Sequence, residues 1–166
     1  GIWRVLHTHT WDPFHAFIET AWDDLGVGVS KANVALDNLS QLPDSEEGSF
    51  FAAEVRYLRA WFMFLHLDMF CQVPFRDETD QDFSVPSEVL TRAAAAEFVA
   101  TELEAIIPQL GTKATLPYGR VNQSAARALL AKVYLNWEVY TGQNINTVRV
   151  VELCNGIINS GNYALY

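Results

Sequence analysis

Apolar positions recur at helical spacing along most of this chain. The stretch from Ala52 to Phe75, AAEVRYLRAWFMFLHLDMFCQVPF, is apolar nearly all the way round. A helix on a protein surface needs only one apolar stripe. Here Val55, Leu58, Trp61, Phe62 and Leu65 take one side, and Tyr57, Phe64 and Leu67 take others. At about 100° per residue, the polar residues fall into two narrow seams. Arg56, Arg59 and His66 form one, and Glu54 and Asp68 form a second nearly opposite. Such a helix must be held between neighbours, with its charges in the seams.

The same periodicity predicts five helices, near residues 15–42, 50–71, 87–107, 122–140 and 147–159. Gly26 and Gly28 weaken the first in its middle. The acids of PDSEEGS precede the second, where the helix dipole favours them, and Pro74 is expected to close it. A polar connection, RDETDQDFSVPSE, leads to the third helix, which Pro108 ends. Asn122 or Ser124 caps the fourth helix and Thr147 the fifth. Only GIWRVLHTH, at the start, reads as extended. In the fourth helix Ala125, Ala128 and Ala131 form a small-residue strip beside Leu129, Val133 and Trp137, so a close helix contact is expected at Ala125 and Ala128. Helix pairs recur at about 70 residues, twice the tetratricopeptide period. The expected fold is all-α: irregular, tetratricopeptide-like stacked hairpins forming an α–α superhelix. A plain helical bundle satisfies the periodicity equally.

Composition narrows the partners. The 166 residues suit one domain. With 13% aromatic and only 19% charged residues, some apolar surface is expected to face further protein. The net charge of −9 argues against a nucleic-acid partner, which would need clustered Lys and Arg. The longest apolar run, Ala60 to Leu65, is far too short to span a bilayer. Cys71 and Cys154 lack metal-type spacing and read as buried free thiols.

The segment AEVRYLRAWFMFLHLDMFCQVPF resembles the signature helix of the SusD/RagB family: Glu-x-Arg-x-x-Arg-Ala, here Glu54, Arg56 and Arg59, then aromatics and a closing Val-Pro at Pro74. AWDDLGVGVSKANVALDNL is similar to that family's Trp-containing helix with a spaced Asn, here Trp22 and Asn33. GRVNQSAARALLAKVYLNWEVYTG, which opens near Arg120, and the closing IINSGNY resemble two further segments in the right order. The likeness implies that residues 1–166 are one helical domain, incomplete at both ends, of a larger protein. By the same likeness that protein is non-catalytic and needs no cofactor or metal. It sits on the outward face of the outer membrane, held by a lipid anchor absent from this chain. Its implied ligand is an oligosaccharide or polysaccharide of the starch type, or in some members a peptide. Its implied partner is a SusC-like TonB-dependent transporter. A helical-repeat scaffold that binds only protein stays open beside this reading. The resemblance also implies structural roles for Glu54, Arg56, Arg59, Pro74, Arg120 and Asn33, because buried charge persists when it is paired. Two positions depart from the family. Gly26 replaces an aromatic residue, which should leave a packing gap, and Cys71 replaces a turn-closing Gly.

Candidate chemistry concentrates in WRVLHTHTWDPFH. His7, His9, Asp12 and His15 supply metal-ligand types, but no βα repeats follow to complete a hydrolase-type site. A carbohydrate platform is the alternative: flat aromatic faces cover the apolar faces of sugar rings, and carboxylates take up hydroxyls. Trp3, Trp11 and Asp12 are the candidates for it. The competing reading makes both tryptophans core anchors at the entry to the first helix. GVGVSK lacks phosphate-loop spacing, and Asp77, Asp80 and Asp82 read as a solvated acidic loop.

Overall fold

Two long helices take up the apolar pattern of the first half, α2 (Ala16–Ser40) and α3 (Glu46–Phe70). The structure, a computed structural model, describes residues 1–80, 82 and 84–164. Contacts between Trp22 and His66, Gly28 and Phe62, and Asn33 and Arg59 run in opposite directions along the two helices, so they form an antiparallel hairpin. Then follow α4 (Arg92–Ile106), α5 (Gln123–Leu135), α6 (Trp137–Thr141) and α7 (Thr147–Ile158). Each long helix packs on the one before it: α3 on α2, α4 on α3, α5 on α4, and α7 on α5. This is the expected stack of irregular hairpins. Its fully buried centre holds Met63, Leu67, Val99, Leu103, Ile106, Leu129, Leu130 and Val133.

Several boundaries differ from the sequence reading. The first residues are not extended: Ile2–His7 forms a short helix, α1, pinned where Ile2 O meets His15 Nε2 at 3.1 Å. That tertiary contact overrides a local pattern too short to decide. Helix α3 starts earlier than expected, because Ser45 Oγ accepts the Gly48 N–H at 2.9 Å and puts Glu46 and Glu47 inside the first turn. It ends at Cys71, which takes a left-handed conformation with φ 61°, so a non-glycine residue does close this turn. Pro74 therefore does not terminate the helix. It lies in strand β1 (Val73–Phe75), antiparallel to β2 (Glu88–Leu90). The third predicted helix accordingly loses residues 88–90 to the strand and begins after Thr91, whose Oγ1 accepts the Ala94 N–H. The fourth breaks at Asn136, which bonds back to Lys132 O and starts α6. Asn122 caps α5, and Asn146 rather than Thr147 caps α7. Both cysteines are half-buried rather than buried.

The alanine strip was misphased. Alanines three apart step round a helix by about 60° each, which carries them off any single contact line. Ala128 faces solvent, and the buried close contact falls on Ala126, with Leu129, Leu130 and Val133 around it. Ala53 and Ala60 on α3 and Ala95 and Ala96 on α4 are likewise fully buried and let the helices approach.

The two glycines of α2 differ in kind. A Cβ on Gly28 would meet the Phe62 ring at 2.7 Å, so this glycine is where α3 comes closest. A Cβ on Gly26 would find only His66 Nε2, at 3.9 Å. The space an aromatic residue would fill lies beside His66, which is fully buried, with Trp22 edge-on at 4.8 Å and neither ring nitrogen hydrogen-bonded among the described residues. Burial pushes the His66 imidazole below its ordinary pKa.

Opposite outcomes follow for the two glycines. Gly26→Ala should stabilise by about 0.5–1 kcal/mol through helix propensity alone. Gly28→Ala should destabilise by about 1–3 kcal/mol through overpacking, measured for both by urea unfolding. His66 adds a pH dependence. Its depressed pKa means the unfolded chain binds the proton more readily, so stability should fall as pH drops below the ordinary value of 6.5. His66→Leu should flatten that part of the stability curve.

Candidate functional site

Arg59, with 3% of its surface exposed, is the hub of the charged seam. Its Nη1 donates to Asn33 Oδ1 at 3.0 Å and to Glu78 Oε2 at 2.5 Å, and its Nη2 donates to Glu102 Oε2 at 2.9 Å. Arg56 grips the same Glu102 with both prongs of its fork, at 3.0 and 2.7 Å. Asn33 Nδ2 donates in turn to the Arg76 carbonyl at 2.7 Å. On the opposite seam the fork of Arg120 closes on Glu54, with its guanidinium over the rings of Phe50 and Phe51 at 5.6 and 5.4 Å. The structure thus joins Asn33, Arg56 and Arg59 in one cluster and Glu54 with Arg120 in another, while Pro74 lies in β1 apart from both. Sequence reasoning missed Glu78 and Glu102, since nothing local marks them as partners of residues on α3.

This arrangement suits cohesion rather than proton transfer. Burial alone would raise the Glu102 pKa, but the hydrogen bonds from Arg56 and Arg59 outweigh it and hold the carboxyl below the ordinary range. A carboxylate kept ionised and fully engaged has no proton to give as an acid and no free lone pair aimed at a ligand.

The aromatic segment before α2 is built differently. Trp3 on α1 is 64% exposed and Trp11 in the following loop 45%, whereas Trp22, Trp61 and Trp137 are all half-buried. Trp3 stacks on Phe17 with ring centres 4.2 Å apart and planes 16° from parallel. Trp11 leans on His9 at 5.3 Å, and His9 takes a positive φ of 54°. The two tryptophans therefore belong to separate ring pairs. Asp12 is exposed, and its Oδ1 accepts the Phe14 N–H at 2.9 Å, while Oδ2 makes no hydrogen bond among the described residues. His15 is occupied by the fold: Nδ1 accepts the Phe17 N–H at 3.3 Å, so Nε2 carries the proton that reaches Ile2 O. That removes it from the His7, His9 and Asp12 set. Among the described residues no three His, Cys, Asp or Glu side chains converge as a metal site.

Residues 2–135 match a SusD-like family model described as starch-binding and associating with the outer membrane. The chain is 29% identical over 158 residues to the starch-binding protein SusD of Bacteroides thetaiotaomicron, covering 93% of this chain and 27% of that protein. In structure it is similar to a SusD superfamily protein of Parabacteroides distasonis, with a TM-score of 0.84 at 24% identity, over 98% of this chain and 36% of that one. A SusD-like carbohydrate-binding protein of Bacteroides fragilis gives a TM-score of 0.82 at 21% identity, over 94% and 30%. The chain thus spans about a third or less of these relatives' length.

The ion cluster carries a stability prediction. Glu102→Ala takes one of two carboxylates from the buried Arg59, which keeps Glu78 and Asn33, and removes the acceptor of the Arg56 fork, so it should cost about 1–3 kcal/mol. Because the folded pKa of Glu102 lies below its ordinary value of 4.5, its contribution is present above that pH and lost as pH falls through the folded value. Urea unfolding at a series of pH values should show that acid-side slope in the wild type and a shallower one in Glu102→Gln.

Proposed function

The chain belongs to the SusD-like family, and on that premise we propose that it is the helical part of a non-catalytic, cell-surface glycan-binding protein. That protein would deliver starch-type oligosaccharides or polysaccharides to a SusC-like TonB-dependent transporter. It would be held at the outer membrane by a lipid anchor. The observation that carries the reading is the openness of Trp3 and Trp11 in a chain whose other tryptophans are half-buried. An indole face left in water is costly unless something covers it, and a pyranose ring offers a flat apolar face of matching size. Asp12 Oδ2 supplies an acceptor for hydroxyls at the rim. Glu54, Arg56 and Arg59 stay paired within the fold and take no part in this platform.

A protein-only scaffold draws on a different observation, the exposed Val27, Val34 and Leu58 along α2 and α3. Titration with glycan separates the two readings. In the full-length protein Trp11→Ala should weaken binding of starch-type oligosaccharides by about 1–3 kcal/mol with the unfolding temperature nearly unchanged. A core anchor would instead cost about 3–5 kcal/mol of stability. Unchanged glycan affinity together with a large fall in unfolding temperature would remove Trp11 from the binding surface. The same pair of measurements on Trp3 tests whether both rings serve one ligand.

A further inference from the structure

Between α4 and α5 the chain makes a turn, residues 117–120, closed by the Arg120 N–H to the Pro117 carbonyl at 3.4 Å. Gly119 sits at its third position with φ 89°, a conformation that glycine adopts without strain. The turn holds Tyr118 wholly in solvent, with a relative exposure of 108%. Beside it lies a hollow of about 390 Å³, which Tyr118 shares with Lys113, Arg120, Asn122 and Tyr163. Lys113 Nζ lies 4.4 Å from the centre of the Tyr163 ring and donates to the Asn162 carbonyl at 2.7 Å, which fixes both residues on the rim.

The wall chemistry is one-sided. Arg120 spends Nε and Nη2 on Glu54, while its Nη1 makes no hydrogen bond among the described residues. Asn122 Oδ1 accepts from Ser124, Ala125 and, at 3.5 Å, the Tyr163 hydroxyl, which leaves its Nδ2 as a donor without a partner among the described residues. Lys113, Arg120 and Asn122 thus present donors, and no carboxylate lines the hollow. Four other hollows in the surface each have an Asp or Glu in their walls, as a chain of net charge −9 would lead one to expect. Distant acids do not decide the local field, since charges more than about 8 Å away are screened at physiological salt.

We infer that this hollow is a second saccharide subsite, which takes a sugar ring bearing a carboxylate or a sulfate ester. The ring lies against the exposed face of Tyr118, and its anionic group meets Lys113 and the free prong of Arg120. Tyr163 closes the far side. The subsite is separate from Trp3 and Trp11 and takes a ligand of different charge.

The inference rests on the reading that the protein binds saccharides, and the experiment keeps the two apart. Full-length protein is titrated with a starch-type trisaccharide bearing a single glucuronate, with one bearing a single sulfate ester and with the neutral trisaccharide. Lys113 and Tyr118 are exposed, so Lys113→Gln and Tyr118→Ala should leave the unfolding temperature unchanged. Either substitution should weaken binding of at least one acidic probe roughly tenfold or more and leave the neutral probe unaffected. Whichever acidic probe responds identifies the anionic group. Trp11→Ala should do the reverse. If the neutral probe does not bind while acidic binding depends on Tyr118 and Lys113, the platform at Trp3 and Trp11 fails and the second subsite stands. No binding of either acidic probe, or acidic binding unchanged in both variants, overturns the inference.

Discussion

A guanidinium taken out of water must be met by acceptors wherever its donors point, or it costs several kcal/mol. The two Nη groups of Arg59 are met by Asn33 from α2, Glu102 from α4 and Glu78 from the connection after β1, and only its buried Nε is left without a hydrogen-bond partner among the described residues. These three segments are remote in sequence, and only one packing of the helices brings them to the same cation. Arg56 then shares Glu102, and Asn33 passes the network on to the backbone at Arg76. The order of the stack is therefore written in hydrogen bonds as well as in apolar area. A purely apolar seam could be as stable, yet it would tolerate slippage of one helix along another. The resulting constraint explains why α3 is apolar nearly all round. It is the middle layer, and Glu54, Arg56 and Arg59 face partners on its neighbours instead of solvent.

How much of this was legible follows from how local each signal is. Helix spacing is a short-range property, so five long segments and their order could be read from the apolar period. The two polar seams of α3 could be read too, and with them the need for partners. The partners themselves could not: Glu102 and Glu78 look like any surface acid until α4 and the loop are placed. Strands of three residues leave too few positions to show an alternation, so Val73–Phe75 reads as connection after the second helix and Glu88–Leu90 as the start of the third. The alanines of α5 failed for another reason. Small size marks where a helix can approach, but only the phase of the whole face says where it does, and that phase follows Leu129, Leu130 and Val133.

The aromatic segment before α2 shows a further limit. Trp3 and Trp11 have the same character in sequence, and either exposure or burial was compatible with it. Exposure was decided by His15, whose two ring nitrogens tie the start of α2 to the start of α1. With α1 fixed on that hinge, Trp3 lies over Phe17 at the surface rather than under it in the core. A histidine that resembles a metal ligand in sequence is thus a structural strut. It sets which face of the indole meets solvent.

Charge shows the same division between interior and surface. Arg56, Arg59, Arg76, Arg120 and Arg149 are all held by carboxylates within the fold, so much of the chain's small supply of cations is used internally. The acids that remain set the outward character of the surface and keep polyanions at a distance. A hollow lined by donors and free of carboxylates therefore stands out against its own background. Selectivity for an isolated acidic ring over a long polyanion follows from the same contrast. One anionic group fits the donors around Tyr118, and each additional charge along a chain would meet a surface of its own sign.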